Sequence, residues 1–162
     1  MAQDPAVPDG SDASERGPVR VVRLPADDGS AAGREVELPM PSHDRRRVRR
    51  RLVASDGVTI ELALPTGTIL EVGALLCRLG GVAYRVAAAP ERLLEIRPAT
   101  GAEAARVGHL IGNLHRDIDI EDDRVLALWD APLERRLRAM GVDVRVVDRP
   151  FRGRPPSEHA HG

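Results

Sequence analysis

Hydrophobic and polar residues alternate along residues 58–64: Val58, Ile60, Leu62 and Leu64 take one side, Thr59, Glu61 and Ala63 the other. A period of two belongs to a strand that lies half-buried on a sheet. Residues Arg47 to Ala54 supply the other arm of a hairpin, because Ser55-Asp56-Gly57 between them can adopt the left-handed angles of a tight turn. Shorter runs, Val19 to Leu24, Glu35 to Leu38, Thr68 to Leu70, Leu75 to Arg78 and Val82 to Ala87, are punctuated by Gly, Pro and Asp. Together they predict a small antiparallel β-domain over residues 18–90.

The period then changes. After a strand at Leu93 to Ile96, Thr100-Gly101-Ala102-Glu103 has the spacing in which a hydroxyl and a carboxylate cap the start of a helix. Ala104, Val107, Leu110, Ile111 and Leu114 recur at helical spacing, and Gly112 and Asn113 predict an end near His115. Asp117 to Glu121 and Arg124 to Trp129 flank Asp122 and Asp123 as a second hairpin. Asp130 caps another helix with Pro132 in its first turn, Leu133, Leu137 and Met140 as its apolar stripe, and Gly141 at its end. A strand at Val142 to Val147 completes the order βαββαβ, a ferredoxin-like domain over residues 91–150. The fold class is therefore α+β. Residues 1–17 and 151–162 carry little to bury and are expected to be disordered tails, with mobility beginning around residue 149.

Composition narrows this picture. At 162 residues with 42% hydrophobic but 2% aromatic residues, the cores must be filled by Val, Leu, Ile and Ala. A formal charge of -1 gives no overall field toward nucleic acid or an acidic membrane. The single cysteine, Cys77, excludes an intramolecular disulfide and a CxxC knuckle, and is expected to be a core thiol. No apolar run approaches a membrane span and the first residues lack the order of a secretion signal, so a cytoplasmic protein is expected. All 24 basic residues are Arg, which removes the P-loop lysine and Schiff-base chemistry. GxSxG and HExxH are also absent, so no catalytic residue is assigned and a non-enzyme is expected.

What chemistry remains lies in the histidines, whose imidazoles suit Ni, Zn and Cu. His43 sits in a turn and receives no role. His115 falls at a helix end, where a side chain stands clear of the core. His109, six residues earlier, points about 240° away around the helix, so the two do not chelate one ion. An ion on His115 therefore needs a ligand from elsewhere: the tail, where His159 and His161 lie one residue apart, or the same histidine of a second copy.

Ile111-Gly112-Asn113-Leu114-His115, the Glu121-Asp122-Asp123 hairpin and the helix from Asp130 to Gly141 resemble urease accessory proteins of the UreE type, the nickel metallochaperones. Arg47, Arg49 and Arg51 before Asp56-Gly57, the segment Leu62-Ala63-Leu64-Pro65-Thr66-Gly67-Thr68, and Pro150-Phe151 ahead of a histidine-bearing end extend the resemblance over about residues 18–162. The resemblance implies a β-domain, a ferredoxin-like metal-binding domain, and a homodimer in which two copies of His115 share nickel while His159 and His161 supplement the site. It also implies delivery of Ni(II) as cargo to apo-urease with the other maturation proteins, the accessory GTPase among them. Zn(II) and Cu(II) are the competing ions, and a zinc or copper carrier of the same fold is the nearest alternative. Leu114 stands where the family commonly has Arg, and two tail histidines replace the long run of many members, which favours delivery over storage.

Two further clusters compete for a role. Arg45 to Arg51, broken only by Val48, is the best argument for nucleic-acid binding, yet no aromatic platform accompanies it, and an exposed strand paired with acidic neighbours or a protein partner accounts for it more simply. The acidic run at Glu121 to Asp123 reads as a solvated hairpin tip.

Overall fold

The computed structural model describes residues 17–27, 29 and 33–153. Both expected tails, with His159 and His161, lie outside the described residues except at their roots. The chain divides into two compact units between Ala87 and Ala88.

In the first unit, β1 (Val19–Val21), β3 (Arg49–Val53) and β4 (Thr59–Ala63) form one sheet in the order β1-β4-β3. A second sheet orders β2 (Arg34–Met40), β6 (Val82–Ala88) and β5 (Leu75–Leu79) as β2-β6-β5. The hairpin read from Asp56-Gly57 is present, with Leu52 opposite Ile60 and Gly57 at φ 85°. The Tyr84 hydroxyl donates to the Asp56 carboxylate at 2.9 Å and so ties this turn to the core. Burial first, and that carboxylate second, push the phenol up to about 12.

Two expectations for this unit need correction. The sheet is mixed, because β1 runs parallel to β4, Val19 lying opposite Ile60; the long connection between them supplies the crossover that parallel neighbours require. Thr68 to Leu70 is no strand: Gly67 at φ 88° turns the chain, and the Leu70 N–H bonds to the Arg45 carbonyl at 2.9 Å instead of entering a ladder. Leu70 is nonetheless wholly buried, which is why its segment reads as apolar. The arginine run is also divided. Asp44–Arg46 form a 3₁₀ turn in which Arg45 is buried and donates to the Met40 carbonyl, and only from Arg49 is the run a strand.

In the second unit, β7 (Pro90–Arg97), α1 (Gly101–Asn113), β8 (Ile118–Glu121), β9 (Arg124–Leu128), α2 (Ala131–Ala139) and β10 (Asp143–Pro150) follow one another as expected. The sheet order β10-β7-β9-β8, with antiparallel neighbours throughout, is the ferredoxin-like arrangement. Leu94, Ile96 and Ala127 meet Val107 and Ile111 of α1 and Leu133 and Leu137 of α2 in the main core. Caps act as the sequence implies. Thr100 Oγ1 accepts from the Glu103 N–H at 3.1 Å, and Glu103 accepts from Ala99, one residue before the cap. Asp130 Oδ1 accepts from the Leu133 N–H at 2.9 Å, and Gly141 at φ 80° follows α2.

The opposite face of the sheet is covered without a helix. Leu93 and Leu126 pack against Phe151, which is fully buried, so order persists beyond the point where a mobile tail was expected. Beside this apolar patch sits Glu95, only 6% exposed, accepting from Arg97 and Arg124 at 3.1 Å and from Arg149 at 3.2 Å. Burial pushes the Glu95 carboxyl up, but the hydrogen bonds and charges of Arg97 and Arg124 outweigh it and hold the carboxyl below its ordinary value.

The end of α1 is a helix stop in which Leu114 is the C-cap and His115 the next residue. The His115 N–H bonds to the Gly112 carbonyl at 2.9 Å and the Arg116 N–H to the Ile111 carbonyl at 3.4 Å. This crossed pair defines the Schellman motif, whose left-handed position is usually glycine. Here it is His115, at φ 50° the one non-glycine residue with positive φ among the described residues.

Two outcomes follow from these arrangements. Because the Glu95 pKa is depressed on folding, its contribution to stability is complete above the ordinary carboxylate pKa and is lost as pH falls through the lowered value. In unfolding titrations over an acidic pH series, Glu95→Gln will lower stability near neutrality and flatten the acid decline; an unchanged acid limb would show that other carboxylates govern it. Relief of the left-handed strain means His115→Gly will raise unfolding free energy by about 0.5–1 kcal/mol in denaturant, net of the entropy glycine adds to the unfolded chain. A loss of stability would show that the imidazole makes contacts the fold needs.

Candidate metal site

His115 is exposed, as are its neighbours Leu114 and Arg116. The helix end fixes the backbone, and Arg116 fixes the next step: its guanidinium donates to Asp130 Oδ2 at 2.8 Å. One carboxylate therefore caps α2 through Oδ1 and anchors the residue beside His115 through Oδ2. The imidazole is left clear of the core on a turn held from both sides. Leu114 departs from the expected stripe: it lies at the C-cap beyond the last buried turn and is 37% exposed. Met140, at the C-cap of α2, leaves its stripe for the same reason and is also exposed.

His109 is an exposed residue of α1, with its Nε2 2.9 Å from the Asn113 side-chain amide, and is not joined to His115. His43 lies 3.3 Å from Asp44 in its turn. Cys77 is half-buried and packs against the first unit's core, and burial pushes its thiol pKa up, away from a reactive thiolate. At the acidic hairpin tip Asp123 is paired with arginines. Asp123 meets Arg97 at 2.9 Å and Arg124 at 3.2 Å; although burial pushes its carboxyl up, these partners hold it below the ordinary value. Among the described residues no group of three or more His, Cys, Asp or Glu is placed to hold a metal ion. His115 thus presents a single exposed imidazole that belongs to no such group among the described residues.

The arginine run of the first unit is engaged with acids. Arg47 and Arg50 meet Asp44 at 3.5 and 3.0 Å, and Arg51 pairs across the hairpin with Glu61. Sequence reasoning did not anticipate the left-handed backbone at His115, since Gly112 and Asn113 both offered themselves as the helix stop. It also missed the Arg116–Asp130 tie and the burial of Phe151. The capping position of Asp130 was visible, but its second oxygen had no signature.

Comparison with known proteins adds to this geometry. No helix among the described residues is long and apolar enough to cross a membrane. The family model described as UreE urease accessory protein, C-terminal domain, matches residues 91–162, which contain both helices and every histidine except His43. Over 126 residues the chain is 52% identical to the urease accessory protein UreE of Synechococcus sp. (strain JA-3-3Ab), spanning 78% of this chain and 85% of that one. It is 50% identical over 127 residues to the UreE of Deinococcus radiodurans, with 78% and 82% covered. The UreE of Rhizobium rhizogenes is 35% identical over 128 residues, with 78% and 75% covered. These relatives are named as accessory proteins and not as enzymes. The match runs through both compact units, and the chain belongs to the UreE family of urease accessory proteins.

Proposed function

We propose that the protein carries Ni(II) to urease during maturation of that enzyme, and that His115 is the residue on which the ion is held. The observation that carries this reading is the placement of His115: an exposed imidazole in the left-handed position of a helix stop, where glycine would be the relaxed choice. Strain of this kind persists when the side chain has a use, and here the turn is braced by Arg116 and Asp130. One imidazole does not hold a divalent ion, so the site is completed by His115 of a second copy in a homodimer, with His159 and His161 as auxiliary ligands. Family membership supports the rest of the reading: a cytoplasmic carrier, without catalytic residues, that works with the accessory GTPase and apo-urease.

A carrier must also release its ion. A few neutral imidazoles form a more labile set than a closed thiolate cage, and each must be deprotonated to bind, so protons compete with the metal. Zn(II) and Cu(II) compete for the same ligands, and native metal analysis identifies the ion carried.

Calorimetric titration of the dimer with nickel tests the assignment. His115→Ala will weaken binding by more than about tenfold and lower the stoichiometry per dimer, while the circular-dichroism spectrum stays that of the wild type. Wild-type binding by this variant would remove His115 from the site. Lowering the buffer from about pH 7.5 to about pH 5.5 will weaken wild-type nickel binding as imidazoles protonate. An affinity that does not change would argue for ligands other than histidine.

A further inference from the structure

β8 is an edge of the second unit's sheet, with β9 as its one neighbour. Glu121 pairs with Arg124 across the two-residue turn Asp122-Asp123, so these two exchange both backbone bonds, and Asp119 does the same with Leu126. The N–H and C=O groups of Ile118 and Ile120 therefore point away from β9, and among the described residues no hydrogen bond reaches them. The side chains of the same two residues form one wall of a groove of about 450 Å³, and Gly101, Ala104 and Gly108 of α1 form the other. The two glycines leave that wall open, since a methyl group built on either would meet nothing within 4 Å outside its own helix. Ile120 is 69% exposed, an unusual amount for an isoleucine on a strand with a free edge. At the opposite edge β10 exposes no large apolar side chain, and its Asp143 and Arg145 meet at 3.7 Å.

We infer that the β8 edge docks an extended segment of a partner protein by strand addition, a segment in which apolar and basic residues alternate. Bonds to Ile118 and Ile120 hold its backbone, its apolar side chains enter the groove beside Ile120, and its basic side chains lie on the other face with Asp119. Charge sets the partner's chemistry. Asp119 accepts from the Arg152 backbone N–H at 3.2 Å but meets no cation among the described residues, and neither does Asp122, which closes one end of the groove.

A second copy of this chain is the wrong occupant. Residues directly opposite in an antiparallel pair share a face, so β8 paired with its own copy sets acid against acid: Asp119 meets Glu121 when Ile120 lies on the two-fold, and meets itself when Asp119 does. The chain's own ends fit no better. Residues 1–16 carry Asp4, Asp9, Asp12 and Glu15 against Arg16, and residues 154–162 hold no large apolar side chain. The inference does not draw on the nickel reading, because the groove opens at the start of α1, about 18 Å along the helix from the end that leads into His115. A partner bound there leaves the imidazole uncovered.

An end-capped synthetic peptide of alternating Arg and Val, titrated into the isotopically labelled full-length chain, tests the edge. Chemical-shift changes will centre on residues 118–122 and 101–108, and the amides of Ile118 and Ile120 will gain protection from hydrogen exchange. Replacing Arg by Glu in the peptide will weaken binding about fivefold or more, and Ile120→Lys in the protein will weaken it about tenfold. N-methylation of the peptide's amides will remove binding, since it deletes the donors of a strand while leaving the charge in place. Shifts centred on β10 or on the first unit, equal binding of the Glu or N-methylated peptide, or no shift at any soluble concentration would overturn the inference.

Discussion

Strand β7 must be covered on both faces, and most of the second unit answers that requirement. Leu93 to Ile96 are buried in succession, so side chains pointing to either side of the sheet need partners. Toward the helices, Leu94 and Ile96 are met by α1 and α2. Away from them, Leu93 is met by Phe151, and Glu95 is met by three guanidinium groups. A carboxylate so deeply placed is tolerable only because its oxygens are saturated by charged donors. Covering this face draws the chain past β10 and across the sheet, and covering the other places α1 so that it ends at His115.

The order of elements in both units was legible because each carries its own periodicity and punctuation. Thr100, Glu103, Asp130 and Gly141 act at the helix ends as their side chains and backbone freedom dictate, and Asp56-Gly57 turns its hairpin. What failed to show were features decided by tertiary partners. The parallel pairing of β1 depends on which edge of the sheet the β3–β4 hairpin leaves free, and no local pattern encodes that. Leu70 looks like part of a strand because it is buried, yet its backbone is satisfied by Arg45. Phe151 follows a proline in a polar segment, and its burial depends on a patch made by residues far away in sequence.

The candidate site shows the same division. His115 could be singled out because a side chain at a helix end stands clear of the core and because its surroundings match a family. Its conformation could not, since three consecutive residues before it, Gly112, Asn113 and Leu114, left the stopping point open by one or two positions. The crossed hydrogen bonds to Gly112 and Ile111 decide the matter and place the left-handed backbone on the residue proposed to hold the ion. The Asp130 carboxylate joins this turn to the start of α2, so the backbone beside His115 is tied to both helices.

The claim on which the rest depends is that the ion sits between copies of His115. Anomalous diffraction at the nickel absorption edge, from crystals of the nickel-loaded protein, locates the metal without assumptions about affinity. The account predicts a single strong peak within bonding distance of His115 from two chains related by a two-fold axis. A peak bound by other residues, or by His115 of one chain alone with no second copy nearby, would contradict it.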